Sequence, residues 1–484
     1  MKKISKTLSA LFIVVILVVA GSAQTASQPK LDDLQKRIVD LETQLKAISQ
    51  ELSKLIQISA DGTVAKGDRA SPVNSPTETV RSEPPAKNQS EPAKKKDLGL
   101  DVGKSRLTPY GTIFFNAFGN SSGTNNADVP LWATPTGSGN VSSSVRQTRL
   151  GIKLEGARVG NARLGAVVEA DFFGGFPAIG IGENFGVVRI RLANARLDWE
   201  KTSLTIGQDW MVFAPQNPTS LAAAAIPQMA SAGNNWARLP LIKVEHRFGS
   251  NVTWQVAVLA PQTGDSAANV AFLMQPNSGA SSRLPFFQSR VAFADKNWLG
   301  TKKAGTIALS AHYGQSRVFT GATNVRNDID SVGAALDWNF PLAKRVSLAG
   351  EAFFGRNLGG FQSGIFQSYN NDFAYRQGNS LVAGGVRSIG TRGGWIQLGI
   401  TPKLANDRLG LYASIGLDDP NDLDLVSIST RDWRTRNLAY AFDAIYKVTP
   451  QLSIGAELRT FRTNYFISGV QNTNHVNLGA AFTF

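Results

Sequence analysis

The sequence predicts an all-β protein, a 16-stranded antiparallel transmembrane β-barrel that is preceded by an α-helical coiled coil. Apolar and polar residues alternate with a period of two through most of residues 107–484, as in strands whose successive side chains point to opposite faces. Eight long connections also alternate with seven short ones along this region. The resulting even number of strands places both ends of the barrel at the short turns, as outer-membrane barrels require.

The chain starts with the pattern of a secretory signal peptide, which we assign to residues 1–23. Lys2, Lys3 and Lys6 supply the positive start, an apolar run follows, and cleavage is expected after Ala23. An uncleaved anchor is the alternative, and the shortness of the apolar run disfavours it. We therefore expect an exported chain.

Residues 24–59 are predicted to form a periplasmic coiled coil. Its core positions recur at alternating steps of three and four, which is the spacing of a heptad seam. They are Leu31, Leu34, Ile38, Leu41, Leu45, Ile48, Leu52 and Leu55. An amphipathic helix packed on a domain is the alternative, but it would have a wider apolar stripe. Arg37, Ile38, Leu41 and Glu42 match the trimerisation pattern of short coiled coils, which indicates a homotrimer.

Residues 60–106 are predicted to be a flexible linker rich in Pro, Lys and Ser, because this composition cannot bury a core. The barrel is assigned to residues 107–484. The segment 380–390 also resembles a strand, and we place it inside the sixth long connection to keep the strand number even. A change of phase near Asn194 predicts a β-bulge there.

Composition limits the possible functions. The chain has no cysteine, which excludes disulfides, thiolate metal sites and cysteine nucleophiles. His246, His312 and His475 lie on separate segments, so we expect neither a metal nor a cofactor. An outer-membrane hydrolase would need a nucleophile beside an oriented histidine, and no such motif is present, so we expect no enzyme. A net charge of +14 favours anionic solutes or lipopolysaccharide phosphates over nucleic acid.

The two faces of the predicted strands differ as the two sides of a membrane barrel should. In the last strand, Leu478, Phe482 and Phe484 share an apolar face, and His475 and Asn477 lie opposite. Outward aromatic residues cluster beside the short turns and indicate an interfacial girdle. They are Trp199, Phe248, Trp338, Phe340, Tyr446, Phe482 and Phe484. A soluble β-sandwich is the alternative, but it would hide its apolar face in a core.

Sixteen strands enclose a water-filled lumen, and inward basic residues are its candidate pore-lining and solute-binding groups. They are Arg149, Lys153, Arg163, Arg189, Arg191, Arg196, Lys243 and Arg290. We expect about half of them to pair with acids on neighbouring strands. Arg189 and Arg191 are expected to stay unpaired, because no acid lies between them on their strand face.

The third long connection, residues 211–239, is rich in proline and alanine. Because an exposed loop does not need so much small apolar sequence, we predict that it folds into the barrel as a constriction. An external loop at the centre of a trimer is the alternative. The candidate constriction residues are Asp209, Asn217, Asn234, Asn235 and Arg238.

Five short motifs occur in the barrel region: RQTRLG at 146–151, GQDW at 207–210, RLP at 238–240, GGWIQL at 393–398 and DDPND at 418–422. With these motifs in this order, the sequence resembles the DcaP-like trimeric outer-membrane porins of Gram-negative bacteria. The resemblance covers roughly residues 110–484 and implies an outer-membrane homotrimer that passes small anions such as dicarboxylates.

The sequence thus predicts a trimeric porin for passive diffusion of small hydrophilic solutes, with a preference for anions. A structural protein that tethers the outer membrane to peptidoglycan through its coiled coil is the alternative. The expected partners are outer-membrane lipid, lipopolysaccharide, small anionic solutes and peptidoglycan, without nucleic acid.

Overall fold

The structure, a computed structural model, describes residues 99–175, 186–263, 276–321, 325–403 and 405–484. These residues fall within the compact unit Ser75–Phe484. The predicted signal peptide, the coiled coil and most of the predicted linker lie outside the described residues. The same holds for the trimerisation residues Arg37, Ile38, Leu41 and Glu42.

The described residues fold mainly into strands. In chain order the strands are β1 (Leu100–Val102), β2 (Ser105–Thr124), β3 (Ala133–Ser144), β4 (Arg149–Val159), β5 (Ala162–Asp171), β6 (Arg189–Asp198), β7 (Thr202–Trp210), β8 (Arg238–Phe248), β9 (Val252–Leu259), β10 (Phe286–Asp295), β11 (Gly305–Thr320), β12 (Val325–Ala343), β13 (Val346–Arg356), β14 (Tyr369–Gln377), β15 (Ser380–Ser388), β16 (Gly390–Ile400), β17 (Leu409–Pro420), β18 (Arg434–Lys447), β19 (Leu452–Tyr465) and β20 (Gly469–Thr483). One short helix, α1 (Ser278–Ser282), and the 3-10 turns Trp298–Gly300, Gly359–Phe361 and Asp422–Leu425 lie in connections. No helix in the described part is long and apolar enough to cross a membrane.

The large sheet closes into an antiparallel cylinder. Of its 18 strands, β1 is a short addition to β2, while β3 and β4 pair with successive parts of β2 and act as one interrupted strand. Sixteen strands therefore form the barrel, which confirms the predicted number of strands and their antiparallel closure. Pairing of β2 with β20, from Thr112 opposite Thr483 to Asn120 opposite His475, closes the cylinder.

The predicted alternation of long and short connections holds only in part, because the predicted long connections 314–330 and 464–474 fold mostly as strand. Only residues 321–324 separate β11 from β12, and only residues 466–468 separate β19 from β20. The strand-like segment of the sixth long connection is β15, which pairs with β14 in a separate two-stranded sheet, while β13 pairs directly with β16. The strand β2 starts at Ser105, just before the predicted boundary at residue 107, and β1 also precedes that boundary. The turn between β1 and β2 uses Gly103, whose φ of +62° suits glycine.

The inner and outer faces of the wall differ in exposure as predicted. On β20, Leu478 is 40% exposed and Phe482 45%, whereas His475 and Asn477 are fully buried. Phe248, Phe482 and Phe484 of the aromatic set are exposed beside the short turns. Inward side chains that contact the connection 211–237, such as Gln288 and Glu351, are buried.

The predicted position of the bulge is wrong. The register of β5 against β6 shifts between Glu169 and Ala170, which leaves Arg191 as the extra residue, three positions before Asn194. Arg191 and Leu192 are both buried, although adjacent, while Ile190 is 58% exposed. The alternation of residue types misled the prediction because Leu192 is apolar and yet points inward, beside the buried arginine.

The core of the molecule lies inside the cylinder. Residues 211–237, which connect β7 to β8 and are called the inner loop below, supply much of it. Phe213 packs with Phe286, Phe353 and Phe361 in one buried cluster. In a second cluster the inner-loop residue Met229 packs with Trp395 and Phe461. The inner loop is thus held within the barrel.

Candidate functional site, an inner loop across the barrel

The first part of the inner loop is fixed to β10 and β11. The backbone N–H groups of Val212 and Phe213 donate to Gln288 Oε1 at 2.9 and 3.1 Å. The N–H of Ala214 donates to Ser310 Oγ at 3.1 Å. Because an irregular segment cannot satisfy its own backbone, buried groups of this kind need acceptors from elsewhere. Inward polar side chains of the wall supply them.

The middle of the loop reaches the opposite side of the cylinder. Thr219 and the Gln397 side chain of β16 exchange two hydrogen bonds of 2.8 and 2.9 Å. Gln228 Nε2 donates to the Asp443 carboxylate of β18 and to Glu457 Oε2 of β19, at 3.0 to 3.1 Å. Ser220 Oγ also donates to Glu457. The loop therefore crosses the lumen from β10 to β19.

A third set of contacts ties the alanine-rich segment to the connection between β3 and β4. Gln147 Nε2 donates to Ala222 O at 2.8 Å, and Ala225 N donates to Gln147 Oε1 at 2.9 Å. Loop carbonyls also accept from arginines of β6: Arg189 reaches Ala225 O at 2.9 Å and Arg191 reaches Ala224 O at 3.3 Å. The inner loop thus meets basic groups on one side of the lumen and carboxylates on the other.

Three of the five predicted constriction residues belong to the inner loop. Asn234 is buried and donates through Nδ2 to Asn217 Oδ1 at 3.2 Å and to Gln228 O at 2.8 Å. The backbone and side chain of Asn235 both donate to Glu351 Oε1 of β13, at 3.2 and 3.4 Å. These asparagines fix the shape of the loop and its attachment to the wall.

The other two predicted constriction residues flank the loop. Asp209 belongs to β7 and pairs with Lys243 of β8, with Oδ2 2.6 Å from Nζ. Arg238 is the first residue of β8, and its guanidinium lies 4.8 Å from the centre of the Trp210 ring and 5.3 Å from that of Trp236. Arg238 Nη2 also donates to Ala225 O at 3.1 Å. Their assignment to the loop is therefore corrected, because strand pairing continues to both residues.

The prediction that Arg189 and Arg191 stay unpaired is wrong. Arg189 lies 2.6 Å from Asp171, and Arg191 lies 2.6 Å from Glu169 and 2.8 Å from Asp171. The acids stand on β5, in register with Arg189 opposite Asp171, and not on the strand that carries the arginines. Cross-strand neighbours therefore neutralise what appears along β6 as an uninterrupted basic face.

Three more of the predicted pore-lining residues also form ion pairs. Arg196 bonds to Asp198 at 2.8 Å and approaches Glu245 at 3.4 Å. Lys243 pairs with Asp209, as described above, and Arg290 with Asp337 of β12 at 2.6 Å. Together with Arg189 and Arg191, five of the eight predicted basic residues therefore take part in ion pairs, although Asp198 lies on the same strand as Arg196.

The remaining three basic residues lie on β4 and β5. Arg149 and Lys153 are half-buried on the inward face of β4, where Lys153 Nζ lies 4.6 Å from the centre of the Tyr110 ring. Arg163 is exposed near the short-turn end of β5, opposite Asp198 of β6. The structure thus distributes the predicted basic set along one side of the barrel, with Arg290 farther round the wall.

A set of buried charges on the other side of the barrel is absent from the sequence prediction. Asp337, Glu351, Asp443, Glu457 and Arg459 are all buried inside the cylinder. Each is a charge at an inward position of an alternating strand, with Glu457 and Arg459 two residues apart on β19, and this pattern could have identified them. Their role depends on the inner loop, which is distant in sequence and cannot be matched to them from strand patterns.

The histidines serve as wall and packing residues. His312 Nε2 lies 2.9 Å from Ser331 Oγ, but that hydroxyl donates to Asn357 O at 2.8 Å, and phenylalanine rings surround the imidazole. His475 Nδ1 lies 2.9 Å from Asn120 Oδ1. His246 packs edge to face against Phe248 on the outer face. Within the described ranges, His, Asp and Glu form no group that could hold a metal ion.

A closed antiparallel barrel of sixteen strands, with a long connection folded into its lumen, has the architecture of outer-membrane porins. The outer membrane channel DcaP of Acinetobacter baumannii is similar in structure, with a TM-score of 0.59 and 17% identity over 80% of this chain and 99% of that chain. This likeness shows the fold, and at that level it confirms the resemblance to DcaP-like porins.

Two further solved structures are more distant. The anion-selective porin from Comamonas acidovorans has a TM-score of 0.47 and 12% identity over 78% of this chain and 100% of that chain. OmpF of Salmonella typhi, solved in complex with daunomycin, has a TM-score of 0.49 and 13% identity over 80% of this chain and 100% of that chain. No family model and no curated protein sequence matches the chain.

Proposed function

We propose that this protein is a trimeric outer-membrane porin through which small hydrophilic solutes diffuse passively, with a preference for anions such as dicarboxylates. The observation that carries this proposal is the inner loop, which spans the lumen from β10 to β19. A 16-stranded barrel leaves an aqueous channel, and a loop folded into it sets the narrowest passage. Solute size is then limited by the loop and solute charge by the surrounding side chains.

The anion preference is supported by which charges remain accessible. Arg149, Lys153, Arg189 and Arg196 are half-buried and Arg163 is exposed. Carboxylates on the opposite side, at Glu351, Asp443 and Glu457, are buried and accept hydrogen bonds from the inner loop. A solute in the lumen therefore meets basic groups of β4, β5 and β6, although Arg189 and Arg196 are paired with Asp171 and Asp198, and guanidinium groups suit carboxylates.

The proposed location and assembly are supported by the barrel fold and by the sequence patterns predicted ahead of it. An exported chain with this barrel belongs in the outer membrane, where short turns face the periplasm. The strand β2 starts at the short-turn end, so a coiled coil preceding it would lie in the periplasm. The trimerisation pattern around Arg37 and Glu42 supports a homotrimer.

We propose a channel and not an enzyme, because Ser331 and His312 are buried among phenylalanine rings and wall residues, out of reach of a substrate.

Conductance in planar bilayers tests the proposal. Purified protein is expected to insert in units of three equal steps, with a reversal potential that favours anions over cations. The double variant Arg149→Gln/Lys153→Gln should lower the anion-to-cation permeability ratio severalfold, since it removes accessible lumen charge. Arg392→Gln is the matched control, because Arg392 is exposed on the outer face. Cation preference of the unmodified protein would refute the anion assignment, and absence of conductance would refute the channel.

A further inference from the structure

Four arginines on neighbouring strands face outward near the long-loop end of the barrel. They are Arg356 on β13, Arg392 on β16, Arg436 on β18 and Arg462 on β19, called the arginine row below. All four are exposed, with 78% of the Arg392 side chain and 52% of the Arg436 side chain accessible. Arginine at an outward position of a barrel strand is costly in hydrocarbon and is placed best at the interface.

Strand register makes the row continuous. Arg356 stands opposite Gly390, two residues from Arg392, and Arg392 stands opposite Asp419 of β17. Asp419 accepts from Arg436 Nε at 2.9 Å, and Leu438, two residues from Arg436, stands opposite Arg462. An offset of two residues along a strand is about 7 Å. The guanidinium groups therefore form one band across five adjacent strands.

An apolar wall begins directly next to this band on the side of the short turns. Phe354 lies two residues before Arg356, on the outer face of β13, and is 67% exposed. Ile396 on β16, Tyr440 on β18 and Leu458 on β19 are the exposed apolar residues in the same direction. This sector thus presents cationic groups at its upper edge and hydrocarbon below, which is the complement of an anionic amphiphile.

The positive charge of the band is only partly neutralised. Asp419 pairs with Arg392 and Arg436, and Asp422 lies near Arg436, whereas Arg356 and Arg462 form no ion pair within the described ranges. The neighbouring outer face of β11 and β12 is balanced, because Arg317 and Arg326 pair with Asp328. On β6 and β8–β10, the outward residues near the long loops are uncharged. These are Ile190, Pro240, Val258 and Phe287.

We propose that the arginine row binds the phosphate groups of a phosphorylated lipid of the outer leaflet, whose acyl chains lie on the apolar wall below. Guanidinium groups pair with phosphate through two parallel hydrogen bonds, and such bonds are stronger than neutral ones. The lipid chemistry that fits is a glycolipid with phosphates at the head and several acyl chains, as in lipopolysaccharide. The proposal rests on the membrane orientation proposed above.

Binding of lipid A to the full-length protein in detergent tests the proposal. Arg356→Gln/Arg392→Gln/Arg462→Gln should weaken binding of bisphosphorylated lipid A by roughly a hundredfold, at about a factor of five per arginine. Arg317→Gln/Arg326→Gln is the matched control and should bind as the unmodified protein does. Dephosphorylated lipid A should bind weakly to all three proteins, and millimolar inorganic phosphate should not displace lipid A.

Equal binding by the triple variant, or equal binding of the dephosphorylated lipid, would overturn the proposal. Displacement of lipid A by inorganic phosphate would show a simple anion site and would overturn it too. Bilayer conductance of the same variants separates this test from that of the channel: conductance should be unchanged in all of them, so loss of lipid binding with intact conductance concerns the arginine row alone.

Discussion

Single residues decide how closely the inner loop can lie against the barrel wall. Gly233 has a φ of +104°, and a Cβ at this position would lie 2.0 Å from Gly394 O of β16. A glycine here allows the loop backbone to contact the strand backbone directly. The neighbouring asparagines then reach Glu351 and Gln228, so one backbone contact positions several polar ones.

Gly233→Ala is expected to displace the inner loop from β16 and to widen the channel. The backbone strain alone costs about 1–3 kcal/mol, and the clash with Gly394 adds to it. Single-channel conductance should rise, and the temperature of unfolding should fall. The control is Gly249→Ala, which has a φ of +63° but open space around the new methyl group. Unchanged conductance in Gly233→Ala would contradict the proposed contact.

Two aspartates outside the membrane-spanning strands hold the long connections together. Hydrogen bonds from the side chain and backbone of Ser429 hold the pKa of Asp372 below its usual value. Partial burial raises the pKa of Asp432, but hydrogen bonds from Ser468 and from the Ile467 backbone outweigh it and lower the pKa overall. A lowered pKa means that the folded state favours the charged carboxylate.

The contact of Asp432 with residues 467 and 468 should therefore weaken in acid. Because the folded pKa is depressed, the stabilisation is full above the ordinary aspartate pKa of about 3.9 and is lost as pH falls through the lower folded value. Hydrogen exchange of the Ile467 and Ser468 amides should be slow at pH 6 and accelerate below about pH 4 after correction for intrinsic rates. Asp432→Asn should remove this pH dependence, whereas Asp330→Asn should keep it. A pH-independent exchange rate in the unmodified protein would rule out the role of Asp432.

Among the elements, the strands could be predicted from the sequence better than the contacts of the inner loop that crosses the lumen. Period-two alternation is local, so it indicates nearly every strand of the barrel and also β15, which lies outside the barrel in a connection. Pairing partners are not local, and Arg191 therefore appeared unpaired although Glu169 and Asp171 lie on the next strand. The bulge at Arg191 was misplaced for the same reason, since packing inside the barrel turned Leu192 inward.

The cross-strand pairing of β5 and β6 predicts a change in selectivity. Asp171 accepts from both Arg189 and Arg191, so Asp171→Asn should leave their charges less compensated. The anion-to-cation permeability ratio is expected to rise by about twofold, as local positive potential concentrates anions. Reversal potentials in a salt gradient measure it. Asp328→Asn, on the outer face, should leave the ratio unchanged; a fall of the ratio in Asp171→Asn would be inconsistent with these pairs.

The position of the inner loop depends on side-chain amides that donate hydrogen bonds to buried carboxylates of the barrel wall. Gln228 is buried and donates to both Asp443 and Glu457, so Gln228→Ala removes donors from two charged groups at once. A lost hydrogen bond to a buried charge costs about 2 kcal/mol. We expect lower thermal stability and larger, noisier conductance. Gln315→Ala, which changes an outward side chain, should have neither effect, and wild-type conductance in Gln228→Ala would argue against the attachment.

At the scale of the whole molecule, the sequence indicated a closed barrel because the strand count was even and one face was apolar. That the third long connection folds inward was also predictable from its proline and alanine content. Its partners were not, since Gln397, Asp443 and Glu457 lie more than 150 residues along the chain and their hydrogen bonds form only once the cylinder closes. The accessible lumen charge, and with it the proposed selectivity, therefore depends on the complete fold.

The most direct test is the conductance of Ala224→Cys channels before and after a bulky thiol reagent is added. The chain has no cysteine, so the label attaches to one site, on a half-buried residue of the inner loop. If the inner loop forms the constriction, labelling should lower the conductance of Ala224→Cys channels stepwise, in three events per trimer. Labelling of Leu309→Cys, on the outer wall, should leave the conductance unchanged. Full labelling of Ala224→Cys with unchanged conductance would contradict the claim that this loop narrows a conducting lumen.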